Sequence, residues 1–244
     1  MSHHVRARLV QLGRLQFQAD LFPFDFHVWE HDRRDEIVML APPGARIRRD
    51  GQFDGVIGVL DPEAFVTTYV LEPDRVTGYP VLPEGRIAAG PQTFSRGDWH
   101  EILARNSPVF GVHIPAGTAL DTEACRESLR RAEKELPVYF PDVSATCLYS
   151  ASWLFDNQLG RYLPSTSNVV QFAGLFHLFP MPGATDRQMF ERVFGRYFDR
   201  IEDAPQDNSL RKAMVMHIRQ GGHWHMGGAF RRLSKHKRRE EKCT

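Results

Sequence analysis

The sequence predicts an α+β or α/β fold built on a mixed open sheet, and two patterns along the chain support this prediction. From Trp99 onwards, stretches with helical spacing alternate with short apolar stretches typical of buried strands. Before Trp99 the candidate strands are separated by Pro and Gly, as in β- and loop-rich units. This order favours a sheet flanked by helices over a sandwich or a helical bundle.

The first half of the chain contains four candidate strand regions and a long connection. The stretch VRARLVQLGRLQFQADLF predicts either one long strand or a strand pair bent around Gly13. FDFHVWEHD, IVMLAPP and TTYVLEP are shorter candidates. The turn-rich residues 73–99 are expected to form an ordered loop with short extended pieces.

The second half begins with a predicted short helix, DWHEILARN, that Asp98 caps, and a buried strand, VFGVHIP. The next predicted helix begins at Asp121 or Thr122 and ends at Pro137. Its inner stripe consists of Ala124, Ser128, Leu129, Ala132 and Leu136.

The remaining elements alternate in the same way. We expect a strand over SATCLYSASWLF, helical turns over DNQLGRYLP, and a helix that turns into a strand over SNVVQFAGLFHLFP. TDRQMFERVFGRYFDRI and NSLRKAMVMHIRQ have helical spacing, and GGHWHMGGAFRRL is expected to be an edge strand. VFGVHIP and ATCLYSASWL should then be neighbouring parallel strands, joined by a right-handed helical crossover.

Composition and charge exclude several classes of protein. With 244 residues, of which 42% are hydrophobic, the chain can bury a large core. Residues 231–244 hold seven Lys or Arg against two Glu, so the rest carries 24 basic and 28 acidic side chains, a formal charge of −4. This argues against specific nucleic-acid binding by the body. The basic tail is expected to be disordered, although it can contact phosphates nonspecifically.

The cysteines and the apolar stretches predict a cytoplasmic protein that does not bind membranes. Cys125, Cys147 and Cys243 stand at unrelated spacings, which suits a reducing compartment and neither a disulfide framework nor a thiolate metal site. The beginning of the chain lacks the apolar region of an export signal, and no run of eighteen uncharged apolar residues occurs.

Three ordered motifs carry a resemblance to a known family. FGVHIPAGTALDTEACRESLRRA, SASWLFDNQLGRYLPSTSNVVQF and NSLRKAMVMHIRQGGHWHMGGAF resemble the bacterial acyltransferase-type family in which a helical N-terminal domain precedes a GNAT-like C-terminal domain. The resemblance covers roughly Gly13 to Phe230. It implies that residues 1–98 form the β- and loop-rich half of a GNAT-like domain, that residues 99–230 form its α/β half, and that a helical domain is a possible partner.

The resemblance also implies an acyl-CoA-dependent N-acyltransferase. In GNAT folds two central strands splay apart to admit the pantetheine arm of acyl-CoA, and VFGVHIP and ATCLYSASWL would be these strands. HIPAGTALDT stands where the glycine-rich pyrophosphate loop is expected. Free amides at Thr118, Thr122 and their neighbours can bind a phosphate, but Asp121 and Glu123 would repel it. Asn157 is a further candidate for cofactor binding.

His113 and Tyr162 are the candidate catalytic residues that the resemblance implies. His113, at the end of a central strand, would take the proton of an attacking amine. Tyr162 would act as the acid that donates a proton to the leaving thiolate. The alternatives are a buried His bonded to a carbonyl and a core aromatic. We expect Trp153 to be largely buried, with a loss of about 3 to 5 kcal/mol on truncation to alanine.

The junction SWLFDNQL is predicted to line the ligand cleft, with its apolar half supporting the fold and Asp156 and Asn157 facing the opening together with His113. The alternative is that Asp156 merely caps the following helical turns. A helix cap is also the simpler account of Asn168.

Other reactive residue types lack the context that their chemistry needs. Ser150 and Ser152 have no nucleophile elbow around them, and Cys147 suits an inert core position. His217, His223 and His225 cluster in sequence without a carboxylate to complete a metal site, so we predict no metal.

Three functions therefore remain open: a GNAT-type transferase that moves an acyl group to a small-molecule amine, a noncatalytic GNAT-like module that binds a ligand or a partner domain, and a hydrolase or metal enzyme.

Overall fold

A computed structural model describes residues 9–56, 60–117, 120–184 and 186–234. The strands of this part of the chain are β1 (Val10–Leu12), β2 (Leu15–Leu21), β3 (His27–His31), β4 (Ile37–Leu40), β5 (Arg46–Ile47), β6 (Phe65–Val66), β7 (Tyr69–Leu71), β8 (Arg75–Gly78), β9 (Pro80–Val81), β10 (Gln92–Ser95), β11 (Trp99–Leu103), β12 (Pro108–His113), β13 (Cys147–Ser152), β14 (His177–Ala184) and β15 (His225–Arg232).

The described α-helices are α1 (Thr122–Tyr139), α2 (Asn168–Ala173), α3 (Asp186–Phe194) and α4 (Ser209–Arg219). Three short 3₁₀ helices span Trp153–Phe155, Asn157–Arg161 and Ile201–Asp203. Asp121 caps α1 as predicted, because its carboxylate accepts a hydrogen bond from the amide of Ala124 at 2.7 Å. No helix in the described ranges is both long and apolar enough to cross a membrane.

A six-stranded mixed sheet forms the centre of the fold, in the order β1-β2-β12-β13-β15-β14. β12 and β13 are parallel neighbours, and every other pair in this sheet is antiparallel. The chain between the parallel strands contains α1, so the predicted helical crossover is confirmed. β1 and β2 form a hairpin around Gly13, whose φ of +67° suits the tight turn, so the strand-pair alternative is the correct one.

The two faces of this sheet pack against different parts of the chain. Phe110 of β12 and Leu148 of β13 lie in a core that also holds the buried stripe of α1: Cys125, Leu129, Ala132 and Leu136. Val109 and Cys147, one residue earlier in each strand, lie in a second core on the opposite face.

The second core is closed by an insertion between β2 and β12, residues 22–107. It contains a four-stranded sheet in the order β11-β3-β4-β9, a three-stranded sheet and a two-stranded sheet. Phe22 donates to the carbonyl of Ser107 at 2.9 Å, and Asn106 donates to the carbonyl of Phe22 at 2.8 Å, so the insertion enters and leaves at one place. The six-stranded sheet takes β1 and β2 from residues 1–98 and its other four strands from residues 99–234.

One predicted helix is wrong, since Trp99–Leu103 is β11 and pairs with β3. A register shift between Glu101 and Leu103 places Ile102 and Leu103 both in the interior. This bulge breaks the period of two that identifies a strand, and the remaining pattern imitates helical spacing.

Two further details of the prediction are corrected. β15 is not an edge strand, because β13 and β14 pair with its two sides. α1 also continues past Pro137 to Tyr139. A proline in the last turn removes one backbone donor, and the amide of Phe140 still closes the helix on the carbonyl of Leu136. Within the stripe, Cys125 is buried where Ala124 was expected.

Candidate functional site

The parallel pairing of β12 with β13, at the centre of the sheet, ends before the two strands do. β12 and β13 pair from Val109 with Cys147 to Gly111 with Tyr149, yet β12 continues to His113 and β13 continues to Ser152. In the opening, the Ser150 hydroxyl donates to the carbonyl of Val112 at 2.9 Å. The regular pairing of the two strands therefore ends before the strands do, and Ser150 makes a hydrogen bond between them there.

A cleft of about 550 Å³ extends from this opening. Its walls come from the ends of β12 and β13, the loop after β12, the 3₁₀ helix after β13 and the beginning of β15. They include Val112, His113, Ser152, Trp153, Leu154 and Met226. Apolar side chains and strand ends therefore meet at one site, as is usual for small-molecule sites.

Two arginines give the cleft positive charge. Arg14 follows the β1–β2 turn and its Nη2 donates to the carbonyl of Pro115 at 2.9 Å, while Arg192 projects from α3. Neither residue was predicted from the sequence. No local pattern marks them, because they reach the cleft through sheet pairing and helix packing between distant segments.

The structure places His113 in the cleft and exposes its side chain to solvent. The alternative of a buried histidine is therefore wrong. The role of His113 as a base stays a prediction.

Tyr162 lies elsewhere. Its hydroxyl is 2.8 Å from Nδ1 of His217 and donates to Oε1 of Gln220 at 3.0 Å, and its ring packs on Trp224. Tyr162 does not line the cleft that contains His113. The structure therefore does not bring the two predicted catalytic residues together, because the 3₁₀ helix before Tyr162 directs its side chain towards α4.

The predicted cofactor-binding residues are also dispersed. Thr118 lies outside the described residues. Thr122 donates to Oε1 of Gln171 at 3.2 Å and lines a shallow depression with Asn168, separate from the cleft. Asn157 accepts from Gln52 at 2.7 Å and donates to the carbonyl of Gly85 at 2.9 Å, so it ties the insertion to the sheet domain.

The SWLFDNQL junction divides in the opposite way to the prediction. Ser152, Trp153 and Leu154 line the cleft, while Asp156 is only 4% exposed. Asp156 caps the 3₁₀ helix through the amide of Gln158 at 2.9 Å and accepts from the amide of His225 at 2.7 Å. The polar half therefore holds β15 in place rather than facing a ligand.

Burial raises the pKa of Asp156 to about 6, against the lowering effect of its amide donors. A carboxyl group whose pKa is raised by folding stabilises the protein below its unfolded pKa of 3.8, and this contribution is lost as pH rises through 6.

We therefore expect the free energy of unfolding to fall between pH 4 and pH 6 more steeply in the parent than in Asp156→Asn, which does not ionise. Urea denaturation at several pH values measures this difference. Parallel pH profiles for the two proteins would contradict the assignment.

A second, polar cavity of about 220 Å³ lies between the insertion and the end of α4. Its lining includes Arg48, Asp50, Gln158, Arg161, His223 and His225. Nδ1 of His223 is 2.6 Å from Oδ2 of Asp186, and the other oxygen of that carboxylate accepts from the amide of Trp224 at 2.6 Å.

The rings of His217 and His223 are held by protein groups. Nε2 of His217 lies 3.0 Å from the carbonyl oxygen of His223, and its Nδ1 contacts Tyr162. No group of three or more potential metal ligands was found among the residues that the structure describes. The carboxylate beside these histidines is Asp186, which was not predicted because it comes from α3, far away in the sequence.

The buried thiols are unsuited to nucleophilic attack. Burial raises the pKa of Cys147 to about 11, and burial also raises the pKa of Cys125. Both positions are core positions, as the strand pattern around Cys147 indicated.

Comparisons with known proteins agree with this architecture. A family model for a GNAT-like C-terminal domain matches residues 9–230. The chain is similar to the crystal structure of an acyltransferase mutant in complex with octanoyl-CoA, with 22% identity and a TM-score of 0.53 over 93% of this chain and 47% of that one. It is also similar to an acyltransferase in complex with CoA and 10C-teicoplanin, with 23% identity, a TM-score of 0.52 and the same coverage.

These similarities show the fold, and the chain spans about half the length of the solved structures it matches. No curated protein matches the sequence.

Proposed function

Because the chain belongs to the family of GNAT-like C-terminal domains, we propose that it binds an acyl-CoA between β12 and β13 and transfers the acyl group to an amine. The observation that carries this proposal is that the pairing of β12 with β13 ends before the strands do. Beyond Gly111 and Tyr149 the facing edges of the two strands are no longer joined by regular pairing. Their backbone groups can therefore bond to the amides of a pantetheine arm.

The lining of the cleft suits the different parts of an acyl-CoA. Arg14 and Arg192 supply positive charge for the phosphates, a role for which the sequence analysis expected backbone amides. Trp153, Leu154 and Met226 supply apolar surface for the thioester and the acyl chain. The solved acyltransferases with bound octanoyl-CoA and CoA support this ligand class.

His113 is the cleft residue best suited to take a proton. In the proposed reaction the amine nitrogen attacks the thioester carbonyl, the carbon–sulfur bond breaks, and the CoA thiolate leaves. His113 lines the cleft and ends the strand that forms one of its walls. An exposed imidazole there can accept the proton of the amine.

We expect Arg192→Gln to weaken CoA binding about tenfold, since it removes one charge-assisted contact to a phosphate. Arg187→Gln is the matched control, because Arg187 lies on the same helix and pairs with Glu191 away from the cleft. Isothermal titration of both variants with CoA measures the effect. Equal affinities would remove Arg192 from the site.

A noncatalytic ligand-binding module is the second candidate, and the position of Tyr162 favours it, because the predicted acid does not reach the cleft. His113→Gln and Tyr162→Phe separate the two functions when acyl-CoA binding and thiol release are both measured. A transferase should lose about 100-fold of its turnover in His113→Gln with acyl-CoA binding retained. Acyl-CoA binding without turnover in the parent, under any amine tested, would favour the module.

We also propose that a helical domain joins this unit in the active protein, since the similar acyltransferases are about twice as long. A bacterial, cytoplasmic setting remains part of the proposal. The unpaired, buried thiols of Cys125 and Cys147 suit a reducing compartment.

A further inference from the structure

Three polar side chains surround Gly111, where the pairing of β12 with β13 ends. A Cβ added to Gly111 would lie 3.5 Å from Cγ of Gln18 and 3.6 Å from Oδ2 of Asp20, so both side chains lie on the face of the sheet to which that Cβ would point. Tyr149 lies on this face as well, because it is the neighbour of Gly111 in the parallel pairing. Side chains from β2 and β13 therefore meet beside a residue that has no side chain of its own.

These side chains have oxygen atoms that the fold does not use. Tyr149 is only 9% exposed, yet its hydroxyl makes no hydrogen bond with any residue in the described ranges. Within the same ranges the amide of Gln18 makes none either. Asp20 accepts the amide of Leu21 with Oδ1 at 2.8 Å, and Oδ2 has no partner among the described residues. Because a buried polar group without a partner is costly, a ligand that bonds to the Tyr149 hydroxyl would gain free energy.

The charge of the group is negative. Burial and then the charge of Asp20 raise the pKa of Tyr149 to about 12, so its hydroxyl keeps its proton at pH 7. Asp20 forms no ion pair in the part of the chain that the structure describes. The ring of Tyr149 is fixed by edge contacts with Phe22 and Phe24, at centroid separations of 5.5 and 5.8 Å. One carboxylate and two neutral oxygens are therefore presented in a fixed arrangement.

The same face of the sheet leads to His113. His113 follows Gly111 by two residues on β12, so the two residues share a face and lie about 7 Å apart along the strand. Ala151, two residues after Tyr149 on β13, lines the cleft with His113, and its small side chain leaves this face open. A molecule that is bound by Tyr149 and its neighbours can therefore extend to His113.

We infer that Asp20, Gln18 and Tyr149 bind an ammonium group of the acceptor, so that the substrate that receives the acyl group is a small diamine. An ammonium group has three N–H donors and no acceptor, and it matches the three oxygens that the carboxylate, the amide carbonyl and the hydroxyl offer. The carboxylate also supplies the opposite charge. This inference rests on the proposed acyl transfer for its second half, whereas binding of the ammonium group can be tested alone.

The spacing favours a diamine of the length of 1,4-diaminobutane. Its nitrogens lie about 6 Å apart when the chain is extended, at bond lengths of about 1.5 Å, and this is close to the separation of about 7 Å along β12. The reacting nitrogen enters as the neutral amine and gives its proton to His113, while the carbon–sulfur bond breaks and the CoA thiolate leaves. The second nitrogen keeps its proton throughout and stays bonded to Asp20.

The first experiment titrates the full chain with 1,4-diaminobutane and with the neutral 1,4-butanediol at constant ionic strength, following the ring carbon resonances of Tyr149 by NMR. We expect a saturable shift for the diamine alone, with the affinity weakened about tenfold in Asp20→Asn, which keeps the oxygen that accepts the amide of Leu21. Asp35→Asn is the control, because Asp35 is exposed between β3 and β4 and lines a different depression. A shift that is absent, that butanediol reproduces, or that is equal in the parent and Asp20→Asn would overturn the ammonium site.

The second experiment measures thiol release from octanoyl-CoA with 1,4-diaminobutane against butylamine, which cannot bind through one nitrogen and react through another. We expect kcat/KM to be about tenfold higher for the diamine in the parent and in Asp35→Asn, and this preference to be lost in Asp20→Asn. Butylamine that reacts as well as the diamine would refute this acceptor class while leaving acyl transfer standing. Diamine binding at Tyr149 without any octanoyl-CoA binding would instead end the proposed function and leave the ammonium site.

Discussion

Trp224→Ala is expected to lower the free energy of unfolding by about 3 to 5 kcal/mol, because Trp224 is the largest fully buried side chain of a separate core that also holds Leu159, Met189, Phe190 and Met214. The indole is 0% exposed, donates to the carbonyl of Met214 at 3.2 Å, and packs against the rings of Tyr162 and His217. Truncation would leave a cavity between α4 and the 3₁₀ helix before Tyr162. Urea denaturation followed by far-UV circular dichroism measures the loss.

Trp153→Ala provides the comparison, and it revises the expectation drawn from the sequence. Trp153 is only partly buried and lines the cleft, so its truncation should cost about 1 to 2 kcal/mol of stability and weaken acyl-CoA binding more clearly. If Trp153→Ala destabilised the protein as much as Trp224→Ala, the original assignment of Trp153 to the core would be right.

Gly227→Ala is expected to cost about 3 kcal/mol, because β15 passes too close to the end of the 3₁₀ helix Trp153–Phe155 for any side chain. A Cβ at Gly227 would lie 2.1 Å from the carbonyl oxygen of Phe155 and 2.7 Å from the amide of Asp156. Both atoms belong to the backbone, so no rotation of a side chain can relieve the contact. β15 or the 3₁₀ helix would have to shift.

Gly90→Ala is the matched control for this substitution. A Cβ at Gly90 would meet no atom within 4 Å, and its φ lies outside the left-handed region. Its melting temperature should stay within about 1 °C of the parent, whereas that of Gly227→Ala should fall by several degrees. Equal melting temperatures would show that the contact at Phe155 is easily relieved.

Several features could be predicted from the sequence because short-range patterns decide them. The position and cap of α1, the turn at Gly13 and the strand VFGVHIP all follow from the period of apolar residues, a capping side chain or a glycine. The parallel pairing of β12 with β13 followed from the helix between them, since parallel neighbours need a crossover. The site at the opening of these strands was inferred with them, and His113 does lie there.

Other features depend on contacts between segments far apart in the chain, and only the tertiary structure decided them. No local sequence pattern indicates that Asp156 is buried. It is buried because β15 returns beside it, and the amide of His225, 69 residues later, donates to its carboxylate. Arg14 reaches the cleft because β2 pairs with β12. Asp186 meets His223 because the beginning of α3 lies next to the residues that precede β15.

The amino-acid sequence by itself determined which segments become helices and strands in most of the second half, and which two strands lie at the centre, because backbone preferences and burial periods are local properties. The tertiary structure decided which polar side chains line the cleft. That choice depends on the surface that each side chain meets after the sheet, the insertion and the helices have packed, and residues such as Tyr162 and His113 carry no local signal that distinguishes the two outcomes.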